Sequence, residues 1–109
     1  MKETAAGQAS FVVQDVTVNI NTVNRPDYLS ACLRSLLNTT PEGVPLQILF
    51  NGTPPEFRER ALKQAEPWRG PTNFIVLDET LPIADSHNRA LETIKTPLVN
   101  FMGDDDVVL

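Results

Sequence analysis

Three consecutive carboxylates, Asp104, Asp105 and Asp106, follow Gly103 at the end of an apolar run, residues 97–102 (PLVNFM). Like charges at that spacing repel one another unless a cation neutralises them. Carboxylate oxygens together with a diphosphate are the usual ligand set of Mg²⁺ or Mn²⁺. A metal held there would cancel charge on a departing phosphate. A solvated acidic turn is the plain alternative. Its place in the chain decides for the metal, because sites in open parallel sheets lie at the carboxyl ends of strands.

The elements that must position this cluster alternate regularly. Residues 16–21 (VTVNIN) alternate with period two and form a first strand ending near Thr22. Asn24, Arg25, Pro26 and Asp27 turn into a helix, with proline suited to its first turn. Tyr28, Leu29, Cys32, Leu33, Leu36 and Leu37 make one helical face that ends before Pro41. A second strand spans residues 44–50. Thr53 and Glu56 have capping-box spacing for a second helix burying Phe57, Ala61, Leu62 and Ala65. A third strand covers residues 74–77, and Ile83, His87, Ala90, Leu91 and Ile94 mark a third helical face. Residues 97–102 are the fourth strand.

The order β-α-β-α-β-α-β implies right-handed crossovers and an α/β fold: a Rossmann-like parallel sheet with helices on both faces. Residues 1–15 read as a polar tail and lead-in, with 1–10 a mobile tail. Val18, Ile20, Leu33, Leu36, Ile48, Leu49, Ile75, Leu77, Leu91 and Phe101 are the expected core. Cys32 belongs to the apolar helix stripe, and Trp68 anchors packing beneath the second helix. Asn19 and Asn100 are buried strand residues expected to bond neighbouring loops. Asn21, nearest the strand end, suits either structure or the site.

Composition narrows the function. The chain has 109 residues, 14 acidic against 9 basic, and a net charge of −5. A phosphate backbone needs a basic footprint, so a general nucleic-acid binder is excluded. One cysteine and one histidine exclude an internal disulfide and a Cys/His zinc cage. No apolar run reaches the roughly 20 residues of a membrane helix, and the first ten residues have no signal-peptide core. The default compartment is the cytoplasm, free or at the inner face of a membrane. The sequons at Asn38 and Asn51 are read as chance.

Four segments carry a resemblance. Residues 16–26 (VTVNINTVNRP), with Tyr28, Leu29, Leu33, Leu36 and Leu37, are similar to the V-S-V-I-I-P-T-Y-N-R-P opening of family 2 glycosyltransferases of the GT-A fold. Residues 50–53 (FNGT) resemble the family's D-N-G-S segment. Residues 81–91 (LPIADSHNRAL) resemble its L-G-x-A-x-A-R-N-x-A-L helix. Residues 97–106 resemble the strand ending in its D-x-D metal motif.

The resemblance implies that residues 16–109 are the nucleotide-sugar-binding half of such a domain, with strand order 3-2-1-4. It implies a nucleotide-diphospho-sugar donor, a hydroxyl-bearing acceptor, saccharide or other, and Mn²⁺ or Mg²⁺ held by Asp104, Asp105 and Asp106. The motif aligns either as Asp104-x-Asp106 or with Gly103 in the first aspartate place and Asp105 as ligand. Thr22, Val23, Asn24, Arg25, Asn51, Gly52, His87, Asn88 and Asp104 would contact the donor. Val23 stands for a usual aromatic, Phe50 for an aspartate, Pro82 for a glycine and His87 for an arginine, all near the nucleotide. For His87 a packed structural role is the plainer reading and phosphate contact the functional one.

The resemblance also implies that the general base lies beyond Leu109, so the chain alone is expected not to turn over. The fourth strand is an edge carrying Leu98, Val99, Phe101 and Met102, open to self-association. A non-catalytic nucleotide- or metal-binding module of degenerate glycosyltransferase fold is the alternative. A receiver-type phosphoacceptor is discounted, since no paired acids follow the first strand.

Overall fold

The computed structural model describes residues 12–108, so most of the expected tail lies outside the described residues. A 3₁₀ turn, Val13–Asp15, leads into β1 (Val16–Thr22). Then come α1 (Pro26–Thr39), β2 (Leu46–Asn51), α2 (Pro55–Ala65), β3 (Thr72–Leu77), α3 (Ile83–Thr93) and β4 (Leu98–Gly103). All strand pairs are parallel, in the order β3-β2-β1-β4. The expected α/β architecture and strand order are both observed.

Alternation along β1 decides what each face meets. Val18 and Ile20 face α1 and α2, and join Leu33, Leu36, Ile48 and Phe50 in the main core. Thr17, Asn19 and Asn21 face the α3 side, where Asn21 bonds Ser86. There Leu49, Leu77 and Ala90 form a smaller apolar cluster. Both inner strands are flanked on each side, which is why all six residues of β2 are buried. Trp68 is half-buried against the main core, and its indole N–H donates to the Val44 carbonyl at 2.7 Å.

Several expectations shift. Leu91 and Phe101 are exposed by 46% and 37% and are not core, and Ile75 is only partly buried. β4 is an edge strand, and α3 lies close to the sheet through its small residues Ser86 and Ala90. That rotates Leu91 and Ile83 outward. Phe101 keeps the His87 ring as a neighbour, 4.9 Å between centroids. Leu62 and Tyr28 are likewise exposed, since α2 buries Ala61 and Ala65 and the Tyr28 ring lies under Arg25. The Thr53–Glu56 box does not form: Pro54 is the N-cap, and the Thr53 hydroxyl donates instead to the Thr22 carbonyl. Asn100 is exposed, and Asn19 is buried on side chains rather than loops. Among the described residues no helix is long and apolar enough to cross a membrane.

Candidate functional site

A cleft of about 360 Å³ opens at the carboxyl ends of β1, β2 and β4 beside the first turns of α3. Asn21, Val23, Arg25, Ser86, His87 and Asp104 line it, with Asn51 and Gly103 behind and Ile83, Phe101 and Met102 forming its apolar wall. A larger cavity, about 620 Å³, lies at the opposite end of the sheet near Gln47, Thr93 and Lys95. Topology favours the smaller cleft, because in a parallel sheet the loops beyond the carboxyl ends carry the site. The acidic turn is at that end.

The structure separates the three carboxylates. Asp104 is buried, and both its oxygens are engaged. The Thr22 hydroxyl donates to Oδ2 at 2.9 Å, and the Arg25 guanidinium donates to Oδ1. Asp105 is half-exposed, with Oδ2 3.8 Å from Arg25 Nη1. Asp106 Oδ2 accepts the Gly103 backbone N–H at 2.8 Å, closing the turn. Gly103 leaves room for this: a Cβ there would stand 3.0 Å from Asp105 Oδ1 and 3.4 Å from Asp106 Oδ2. Among the described residues no three acidic, histidine or cysteine side chains converge as a metal cage. Hard oxygens of Asp105 and Asp106 on one side of Gly103 nevertheless fit a cation that draws further oxygens from its ligand.

Arg25 is the cation of the site. The hydrogen bond to Asp104 and then its charge hold the guanidinium above the usual arginine range. It also lies 5.4 Å over the Tyr28 ring. Cys32, buried in α1, has its Sγ 3.8 Å from the Gly103 carbonyl, beneath the turn. Desolvation, followed by the charges of Asp106, Asp104 and Asp105, pushes its thiol up to about 11.

Other expected site residues divide. Asn51 lines the cleft, but its amide is engaged by Leu81: Oδ1 accepts the backbone N–H at 2.7 Å, and Nδ2 donates to the carbonyl at 2.9 Å. Gly52, at φ +73°, shapes the turn against Thr80 and does not line the cleft. Asn24 and Asn88 are exposed outside it. Thr22 acts from behind, through Asp104.

Ser86, Ile83, Phe101 and Met102 line the cleft without having been singled out. The signal for Ser86 was its place one turn before Ala90 on a helix that must approach β1. Asn21 joins a polar row across the sheet. Asn73 Nδ2 donates to Gln47 Oε1 at 2.9 Å, Gln47 Nε2 to Asn19 Oδ1 at 2.8 Å, Asn19 Nδ2 to Asn21 Oδ1 at 2.7 Å, and Asn21 Nδ2 to Ser86 Oγ at 3.1 Å.

The family model described as "Glycosyl transferase family 2" matches residues 17–109. Among solved structures, S. aureus TarS 1-349 superposes with a TM-score of 0.74 at 17% identity, over 85% of this chain and 28% of that one. A second S. aureus TarS structure gives 0.73 at 18% identity, over 85% of this chain and 17% of that one. At that identity the likeness is one of fold, and the chain spans less than a third of either TarS chain. No curated protein matches it significantly.

Proposed function

The chain belongs to glycosyl transferase family 2, and from that premise we propose that residues 16–109 are the donor-binding region of an enzyme that moves a sugar from a nucleotide-diphospho-sugar to an acceptor hydroxyl. The observation that carries this is the cleft itself. It joins an apolar wall, a cation at Arg25 and an acidic turn at the carboxyl ends of a parallel sheet. An apolar wall suits a base or sugar face, and the guanidinium suits phosphate oxygens.

Each residue has a task in this reading. Thr22 and Arg25 fix Asp104, and with it the turn. Asp105 and Asp106 keep oxygens turned to one side of Gly103 and would hold Mn²⁺ or Mg²⁺. Such an ion, when bound, neutralises charge on the nucleoside diphosphate leaving group. Val23 and His87, which both line the cleft, would contact the donor.

Asp104, the carboxylate that lines the cleft among the described residues, is engaged by Thr22 and Arg25, which supports the reading that the chain alone binds a donor without turning over. The same observation favours the second reading, a binding module without catalysis. The exposed β4 edge, with Leu98 and Phe101, is a surface for self-association. The cytoplasm is the proposed compartment.

Titration calorimetry with UDP, GDP, CDP and ADP, each with and without Mn²⁺, tests donor binding. Metal-enhanced binding of at least one supports it, and none binding overturns it. Donor hydrolysis with Mn²⁺ separates enzyme from module, and light scattering reads the mass.

A further inference from the structure

We infer that Asn21 is a ligand-binding residue that offers a hydrogen-bond donor to a phosphate oxygen in the cleft, and that Gln47 and Asn19 are positioning residues that hold it in that sense. The inference rests on the donor-binding reading and deepens it.

The direction of the polar row follows by elimination. The Ala90 carbonyl can only accept, so the end of the Gln47 amide 3.0 Å from it is the NH₂. The same nitrogen stands 2.8 Å from the Asn19 amide, whose facing atom must be oxygen. Asn19 then turns its nitrogen to Asn21, and the facing atom of Asn21 must be oxygen. That leaves Asn21 Nδ2 toward Ser86 and the cleft. One of its hydrogens goes to Ser86 Oγ, whose own hydrogen goes to the Ile83 carbonyl. The second has no side-chain acceptor among the described residues. Asn19 and Gln47 are 0% and 2% exposed, so no water competes for the setting.

The other polar side chains of the cleft sharpen the point. Asp104 has given its oxygens to Thr22 and Arg25, and Asn51 has given its oxygen and one N–H to Leu81. Donors stay free on the Asn21 amide, the second Asn51 N–H and the remaining guanidinium hydrogens of Arg25, and the His87 ring adds nitrogens that donate or accept. With the amide and carboxylate oxygens of the cleft engaged, Asn21 and Arg25 suit an acceptor-rich ligand, and phosphate oxygens answer that need. The family pattern resembled by this strand carries proline at this position, so the amide belongs to this chain in particular.

The test uses the full chain and three probes. These are magnesium pyrophosphate, whichever of UDP, GDP, CDP and ADP binds tightest, and the corresponding nucleoside. Asn21→Leu removes the donor at a half-buried position while keeping the shape. Asn19→Asp, assayed at about pH 8–9 to favour the carboxylate, inverts the row: an ionised aspartate only accepts, so Asn21 turns Nδ2 toward it and presents oxygen to the cleft. Both variants should bind pyrophosphate and the diphosphate about tenfold more weakly, as loss of a hydrogen bond to a charged group requires. The nucleoside, lacking phosphate, should be unaffected. Should Asn19→Asp fail to fold, Asn21→Leu decides alone. Undiminished phosphate binding in Asn21→Leu, or an equal loss for the nucleoside, overturns the inference and leaves the donor-binding reading standing. Failure of the wild type to bind any probe overturns that reading, and this inference with it.

Discussion

Arg25 and Asp104 form an ion pair that ties the loop after β1 to the turn after β4, and its two members are unequally buried. The Asp104 side chain is 3% exposed and that of Arg25 50%. The carboxylate therefore depends on its partners, whereas the guanidinium could find water. Removing one partner of an enclosed pair costs about 3–5 kcal/mol. Here water reaches the arginine side and Thr22 keeps its bond, so screening reduces the loss. Arg25→Gln is expected to lower the urea midpoint of unfolding. A midpoint equal to that of the wild type would show that the pair does not hold the turn.

The main core can be tested against its edge. Leu36 is 4% exposed in the main cluster, and Leu91 is 46% exposed on α3. Leu36→Ala should cost roughly 2–5 kcal/mol. Leu91→Ala should stay within about 0.5 kcal/mol, as at other surface positions. Comparable losses for both would return Leu91 to the core.

The contrast marks how far the sequence could be read. Period-two and period-3.6 patterns fixed the elements and their order, because β1 and β2 are covered on both faces and their residues have one solution. Leu91 and Phe101 misled for a physical reason. Their apolar character matched a buried stripe, but β4 is an edge, and α3 approaches the sheet through Ser86 and Ala90. Arg25 entered through the resemblance of the segment after β1, whereas the place of the acidic turn at a strand's carboxyl end was legible from type and position. The engagement of Asp104 by Thr22 was not, since it spans 82 residues of chain. Nor was the polar row: Asn19, Gln47 and Asn73 lie on three strands and meet only once the register is set.

Gly52 offers a backbone test near the site. Its φ of +73° disfavours any side chain, and a Cβ would stand 2.3 Å from Thr80 Oγ1 and 2.8 Å from the Thr80 backbone nitrogen. The turn would have to open, loosening the Asn51–Leu81 bonds beside it. Gly52→Ala should cost at least about 1–3 kcal/mol. Thermal melting reads the loss, and an unchanged melting temperature would place the turn elsewhere.

Cys32 gives a pH-dependent signal. Its thiol is raised from 9.0 to about 11 in the folded chain. Between those values the unfolded chain has lost the proton and the folded chain keeps it. Stability is therefore fully present below pH 9 and falls as pH rises toward and through 11. The slope at pH 10 should be less steep in Cys32→Ala. At pH 8 a thiol reagent should react with the folded chain far more slowly than with the unfolded one. Rapid labelling of the native chain would contradict the enclosure of Cys32 under the turn.

The acidic turn should divide by role under mutation. Asp104 is enclosed and bonded to Thr22 and Arg25, so Asp104→Asn should act on stability, by about 1–3 kcal/mol for bonds to a charged group. Asp105 is half-exposed, with Arg25 at 3.8 Å its one ion-pair partner among the described residues, so Asp105→Asn should leave the melting temperature nearly unchanged. Asp106 accepts the Gly103 N–H, and an asparagine oxygen can still do so. A nucleoside diphosphate supplies the oxygens that the protein lacks, so Mn²⁺ should bind weakly alone and more tightly with the nucleotide. Calorimetry on the double variant, Asp105→Asn with Asp106→Asn, should show that nucleotide affinity no longer rises with Mn²⁺, while folding is retained. Equal metal-dependent affinity in wild type and double variant would remove these two carboxylates from the site and leave the turn with a purely structural task.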